Sequence, residues 1–197
     1  MGIGICVAYF DFLTWPTAAF CVPAGLVLMQ EKEDWKRTLK RTVGLGMCWG
    51  IGYFGMWCGK WVLGTVFLDS NLFVEALGRA GVHTGEVIVE GEAYGLPGVL
   101  WRNVRLLLRW PYLLCGVGLL LFYFKKTGLR FHSSVLKQCM PFVLLFLIPP
   151  CWLMLLKSHS AWCYWYTYRN LAGSAFLAGL ILQLFAGEKE GIKKSRP

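Results

Sequence analysis

The chain has 197 residues, is 56% hydrophobic and 16% aromatic, and carries a formal net charge of +9. Its continuous apolar runs match the stretch of roughly 17–25 residues that a bilayer core demands of a helix; this excludes an ordinary soluble domain, and the lack of alternation argues against a β-barrel. No aromatic-rich soluble domain remains to stack bases, so the positive charge points to anionic lipid and positive-inside loops, not to nucleic acid.

These properties predict an all-α membrane helix bundle, a single transmembrane domain over 1–197. About five spans are expected, at 12–29, 42–67, 106–124, 138–156 and 162–186, with interfacial helices in one long loop. The opening "MGIGICVAYF" has no basic n-region and no clear cleavage site, and reads as the end of a helix whose beginning is missing. Pro16, Pro23 and the Pro149-Pro150 pair are expected to kink their helices. The second span carries Gly44, Gly46, Gly50, Gly52, Gly55 and Gly59, which offer small faces for close packing.

The loop at about 68–105 is long and mixed. "NLFVEALGRAG" places Leu72, Ala76, Leu77 and Ala80 at helical spacing, so a short surface helix is expected. In "GVLWRNVRLLLRW", Arg102, Arg105 and Arg109 share one face of an amphipathic helix running into the third span.

Orientation follows from three basic segments: Lys32 to Arg41, Lys125 to Lys137, and the tail from Lys189. With five spans all three fall on one side, which is therefore expected to be cytoplasmic in a plasma-membrane protein. The N-terminus, the long loop and "SHSAWCYWYTYR" (158–169) are then outside and the C-terminus inside. The eight cysteines are scattered through apolar runs with no CxxC and no histidines at metal spacing, so they read as packing residues and no metal site is expected.

A few polar residues stand out against this background. Asp11 precedes the first span, where a carboxylate suits a helix N-cap or a general base. Lys60 lies near the outer end of the second span, where it can snorkel between Trp57 and Trp61 or hold a phosphate. His159 can exchange a proton near neutral pH. Arg169 follows a dense aromatic belt and is expected to be buried toward the bundle with an anionic partner. Asp11, Lys60 and Arg169 are expected to line one outward cavity, and Arg102, Arg105 and His159 map to the same face.

Three blocks, "YFDFLTWP" (9–16), "GYFGMWCGKW" (52–61) and "SHSAWCYWYTYRNLA" (158–172), occur in that order. Together they resemble the C-terminal half of a family of bacterial multi-pass membrane proteins that are similar to C-type glycosyltransferases. The resemblance implies transfer of a sugar from a polyprenyl-phosphate donor at the outer face of the membrane. On the matching positions it assigns roles to Asp11, Lys60, His159, Tyr168 and Arg169, and with Arg102 and Arg105 on the same face the cationic residues are expected to bind the lipid phosphate. Two positions depart from the family pattern. A second histidine is often found four residues after the first, where this chain has Cys163. The acidic motif of a first outer loop has no counterpart, although Asp69, Glu75, Glu86, Glu90 and Glu92 occur in the long loop.

The chain is therefore expected to be a C-terminal portion, incomplete as a catalyst without an N-terminal half or a partner subunit. The implied chemistry is displacement at the anomeric carbon by an acceptor hydroxyl. Asp11 would be the base, and Lys60 and Arg169 would stabilise the departing polyprenyl phosphate. Membrane lipid and a lipid-linked sugar are the expected partners. Two alternatives are a non-catalytic membrane module that binds or transports a lipid-linked or anionic solute, and a structural membrane subunit whose island is an anchor.

Overall fold

The computed structural model describes residues 1–10, 15–30, 34–68, 70–85, 88–89, 92–126 and 133–186. They form helices α1 (Gly2–Phe10), α2 (Pro16–Gln30), α3 (Trp35–Leu68), α4 (Leu72–Thr84), α5 (Leu96–Leu107), α6 (Trp110–Lys126), α7 (Ser133–Leu155), α8 (Lys157–Trp162), α9 (Tyr164–Thr167) and α10 (Leu171–Ala186). A 3-10 turn, Tyr168–Asn170, joins α9 to α10, and a two-residue antiparallel hairpin, β1 (Ile88–Val89) with β2 (Glu92–Ala93), sits between α4 and α5. The architecture is all-α apart from that hairpin. Two helices, Ser133–Leu155 and Tyr164–Ala186, are long and apolar enough to cross a membrane, and α5 with α6 makes a third candidate if the bent pair is one span.

The expected first span opens at Pro16. Proline has no N–H to lose at the first helical position, so Pro16 starts α2 instead of kinking it. The apolar piece before it folds as α1 and packs on α3. The crossing is close: a Cβ built on Gly4 would fall between the backbone carbonyl of Trp49 and the amide of Tyr53, and one on Gly52 would strike the Met1 carbonyl. Of the six glycines singled out in α3, only Gly52 lies under another backbone. Gly46 just reaches the Phe20 ring, and Gly44, Gly50, Gly55 and Gly59 face open space. The expected close packing thus holds at Gly52 and not along the whole glycine row, because which side of a helix meets a neighbour is set by the neighbour.

α7 keeps helical geometry through Pro141, Pro149 and Pro150. Each proline removes the N–H that would bond the carbonyl four residues earlier. Pro149 and Pro150 therefore strip Leu145 and Phe146 of their donors. Cys21 of α2 donates to the Leu145 carbonyl at 3.5 Å, and Ser174 of α10 to the Phe146 carbonyl at 2.8 Å. Neighbouring helices thus re-satisfy the freed backbone, as an apolar surrounding requires. The same seam is closed by Gly173, where a Cβ would lie 3.2 Å from the Ala18 Cα and 3.4 Å from Pro149. Around it Phe20, Leu28, Trp49, Tyr53, Leu145 and Leu177 form the buried core, with the Trp49 and Tyr53 rings stacked 5.0 Å apart.

The amphipathic arginine helix does not run straight into the next span. α5 ends at Leu107 and α6 leaves it at 75°. Pro111, in the first turn of α6, has no N–H for the Leu107 carbonyl and its ring would clash with it, so the break is built into the sequence. Arg109 falls in the break, apart from the face that carries Arg102 and Arg105. α6 is exposed along nearly all of its apolar length, and Tyr123 ties its far end to the Leu182 carbonyl of α10 at 3.1 Å.

Contacts along the helices fix their directions. Gly46 and Trp49 meet Phe20, Leu145 meets Cys21, and Gly25 meets Leu177 and Leu180. The start of α3, the ends of α6 and α10 and the start of α7 therefore lie at one end of the bundle. The end of α3, with α4, α5, α8, α9 and the start of α2, lies at the other.

Candidate functional site

The far end of the bundle collects the polar and aromatic residues of the last conspicuous motif. α8, α9 and the 3-10 turn are three short pieces with a break at Cys163, whose amide still reaches the His159 carbonyl at 2.9 Å. The breaks turn successive side chains into different neighbours. Thr167, 1% exposed, donates to Asn103 Oδ1 at 2.8 Å. Asn103 is fully buried, and its Nδ2 donates to the Ser160 carbonyl at 2.9 Å and to the Val99 carbonyl at 3.0 Å. Asn170 is also fully buried; its Oδ1 accepts from the Thr17 hydroxyl at 2.8 Å and from the Ala18 amide at 3.4 Å. A residue of the last helical segment thus caps the start of α2, supplying the acceptor that the first N–H groups of a helix lack.

These two asparagines were not singled out from the sequence. Their signal was present: an asparagine in an apolar membrane segment needs partners for two donors and an oxygen, and so belongs inside the bundle. Arg169, expected to be buried, is exposed. Asn170 takes the inward position, and an adjacent residue in a tight turn points away from it. The Arg169 guanidinium makes no hydrogen bond or ion pair with a described residue, while its backbone carbonyl accepts from the Leu171 amide. Tyr168 is half-buried in the same turn.

Lys60 docks elsewhere. Its ammonium donates to the Ala8 carbonyl at 2.7 Å and lies 5.3 Å from the Tyr9 ring and 4.8 Å from the Trp57 ring. The last carbonyls of a helix have no partner within it and carry the negative end of the dipole, so a cation here stabilises the end of α1. Asp11 lies outside the described residues. The expectation of one cavity shared by Asp11, Lys60 and Arg169 thus has only two members to follow, and no described contact joins Lys60 to Arg169.

An apolar groove lies between α1, the start of α2 and α10. Val7 and Phe10 of α1, Trp15, Ala18 and Val22 at the start of α2, and Ala172 of α10 line it. Phe10 follows the Tyr9 that packs on Lys60, and Ala172 comes three residues after Arg169.

The third cluster is cationic and aromatic. Arg102 of α5 is only 8% exposed, with its guanidinium over the Tyr94 ring at 5.1 Å and over the Tyr164 ring at 4.4 Å. Its Nε is buried without a hydrogen-bond partner. Cation–π contacts give about 0.5–2 kcal/mol each, against an effective cost of several kcal/mol for a desolvated ion. Arg105, on the exposed side, lies 5.5 Å from the same Tyr164 ring. Beneath them Val89, Val99 and Ala161 make a small apolar floor that joins the hairpin to α5 and α8.

His159 is half-buried between the His83 ring of α4 at 5.2 Å and the Tyr166 ring at 6.0 Å, and its Nε2 has no partner. Burial, and then the nearby His83, hold its pKa below the ordinary 6.5. Between its folded and unfolded values the unfolded chain binds more protons, so stability is full above about pH 6.5 and falls with acidification through that window. The melting temperature of the purified protein should accordingly drop between pH 7 and pH 5. His159→Gln should flatten that slope; an unchanged slope in the variant would show that the histidine pair is not its source.

Among the described residues no three His, Cys, Asp or Glu side chains converge as metal ligands. The arrangement offers cations, hydroxyls and a neutral imidazole, chemistry suited to holding an anion. No family model, curated protein or solved structure matches this chain.

Proposed function

We propose that the chain is a plasma-membrane component that binds a polyprenyl-phosphate carrier at its outer face, as the C-terminal portion of a lipid-linked sugar transferase. What supports the reading is the apolar groove, whose lining includes Ala172, three residues after Arg169, and Phe10, which follows the Tyr9 ring that packs on Lys60. An isoprenoid chain would lie in the groove, and its phosphate would meet the two cations at the interface, where a guanidinium binds a phosphate bidentately. His159 and Tyr168 lie in the same motif, toward the sugar-bearing side. Asp11 would supply the base, and a partner or further segment the remaining acidic group.

In this reading five segments cross the bilayer: α1 with α2 as one broken span, α3, the bent pair α5–α6, α7, and the α9–α10 unit. The basic end of the bundle is then cytoplasmic. That end carries Lys36, Arg37, Lys40, Arg41, Lys125 and Lys137 among the described residues, consistent with positive-inside orientation.

The test is photocrosslinking of a diazirine-bearing polyprenyl phosphate to the protein in nanodiscs. Arg169→Lys keeps the charge but loses the fork and should weaken capture about tenfold. Arg169→Leu and Lys60→Leu should abolish it, with helicity checked by circular dichroism. Wild-type capture in all three would refute the reading.

A second reading, a structural membrane subunit, has an observation of its own. Thr167 and Asn170 are fully used in joining helices, and Lys60 caps α1. It requires that the same three variants leave lipid capture unchanged.

A further inference from the structure

We propose that Arg102 is the centre of a small oxyanion site, for a phosphate or carboxylate group, distinct from the apolar groove. It does not rest on the polyprenyl reading, because Arg102 and Arg105, which carry it, do not line that groove.

The Tyr94 and Tyr164 rings cover the guanidinium of Arg102. Aromatic faces satisfy its charge but not its in-plane N–H groups, which form a planar fork. Nε is buried and makes no hydrogen bond. Among the described residues no carboxylate or carbonyl reaches it, although an arginine used only for packing ordinarily finds one.

The neighbouring α8 carries two further buried polar atoms without partners. Asn103 bonds to the Ser160 carbonyl, so α5 and α8 are in register there. Arg102 and His159 each adjoin a partner in that bond. Ser160 Oγ and His159 Nε2 are both buried and both without partners. Arg105 brings a second positive charge to the same Tyr164 ring.

Arg102 and Arg105, two cations that share the Tyr164 ring, select an anion over a cation or a neutral solute. The planar fork favours an oxyanion, whose paired oxygens match it, over a halide. The anion could be the headgroup of a lipid or a soluble molecule; the recognition chemistry is shared.

The experiment uses the whole chain in phosphatidylcholine nanodiscs. Inorganic phosphate is titrated at constant ionic strength, with chloride as the counter-titrant, and the melting temperature is followed. Wild type should show a saturable rise. Arg102→Lys should shift the phosphate midpoint about tenfold higher, because an ammonium lacks the fork. Arg105→Gln, at an exposed position that does not threaten folding, should shift it about threefold. Lys36→Gln, which removes one exposed charge at the opposite end, should leave it unchanged.

No saturable rise in wild type would overturn the proposal. So would wild-type midpoints in both arginine variants, or in Arg105→Gln alone if Arg102→Lys does not fold. A second set of discs contains phosphatidic acid. Loss of the phosphate response there identifies a lipid phosphate as the natural occupant, and persistence identifies a soluble oxyanion.

Discussion

Replacing Asn103 by leucine is expected to destabilise the protein by about 2–4 kcal/mol, the largest effect of any single side chain at this end of the bundle. The two side chains share their branching, and methyl groups crowded against the same oxygens add a steric cost of the same sign. What changes is hydrogen bonding: the Ser160 and Val99 carbonyls lose a side-chain donor, and the Thr167 hydroxyl loses its shortest acceptor and keeps the Cys163 carbonyl at 3.2 Å and the Ser160 carbonyl at 3.5 Å. Each orphaned buried group costs about 1–3 kcal/mol in water-soluble proteins, and somewhat less in a membrane, where alternatives are found more easily. The chemical or thermal unfolding midpoint gives the loss. A double-mutant cycle with Thr167→Val then isolates the shared bond. The two losses should be clearly sub-additive, because the Asn103–Thr167 bond is lost in either single variant. Additive losses would mean that Asn103 and Thr167 do not bond each other.

Gly4→Ala is expected to push α1 off α3 and to cost about 1–3 kcal/mol. The new methyl would meet the backbone of Trp49 and Tyr53, which cannot swing aside as a side chain can. Displacing α1 also moves the Ala8 carbonyl away from Lys60, so the loss includes a charge-assisted hydrogen bond. Gly55→Ala is the control. Nothing lies within 4 Å of that position, so it should be neutral or slightly stabilising through helix propensity. Equal shifts for the two variants would refute the close crossing of α1 and α3.

Much of the helical content was legible because apolar runs report on local solvent preference, which is a property of consecutive residues. The surface helix over 72–80 emerged as α4, and the arginine-bearing amphipathic segment as α5, for that reason. The segments expected at 42–67 and 138–156 are helical in α3 and α7, which begin at Trp35 and Ser133, and of these two helices it is α7 that is long and apolar enough to cross a membrane. Breaks were harder. Proline reads the same whether it opens a helix, as Pro16 does, separates two, as Pro111 does, or sits inside one, as Pro149 and Pro150 do. The difference lies in whether a donor from another helix reaches the freed carbonyl, and Cys21 and Ser174 are far from α7 in the chain.

The candidate site divides in the same way. Lys60, Arg102, Arg105 and His159 were visible because charge in an apolar chain is costly wherever it ends up, and cost marks a residue without naming its partner. Composition and periodicity by themselves determined an all-α apolar chain with a polar, aromatic end and a separate basic end, because both follow from the order of side chains along each helix. Only the tertiary structure decided that Arg102 is enclosed by Tyr94 and Tyr164 while Arg169 is exposed. It also decided that Asn103 and Asn170, not the charged residues, hold this end together. Burial and pairing are properties of the space between helices, set by the angle at which each short segment turns and by which neighbour arrives there.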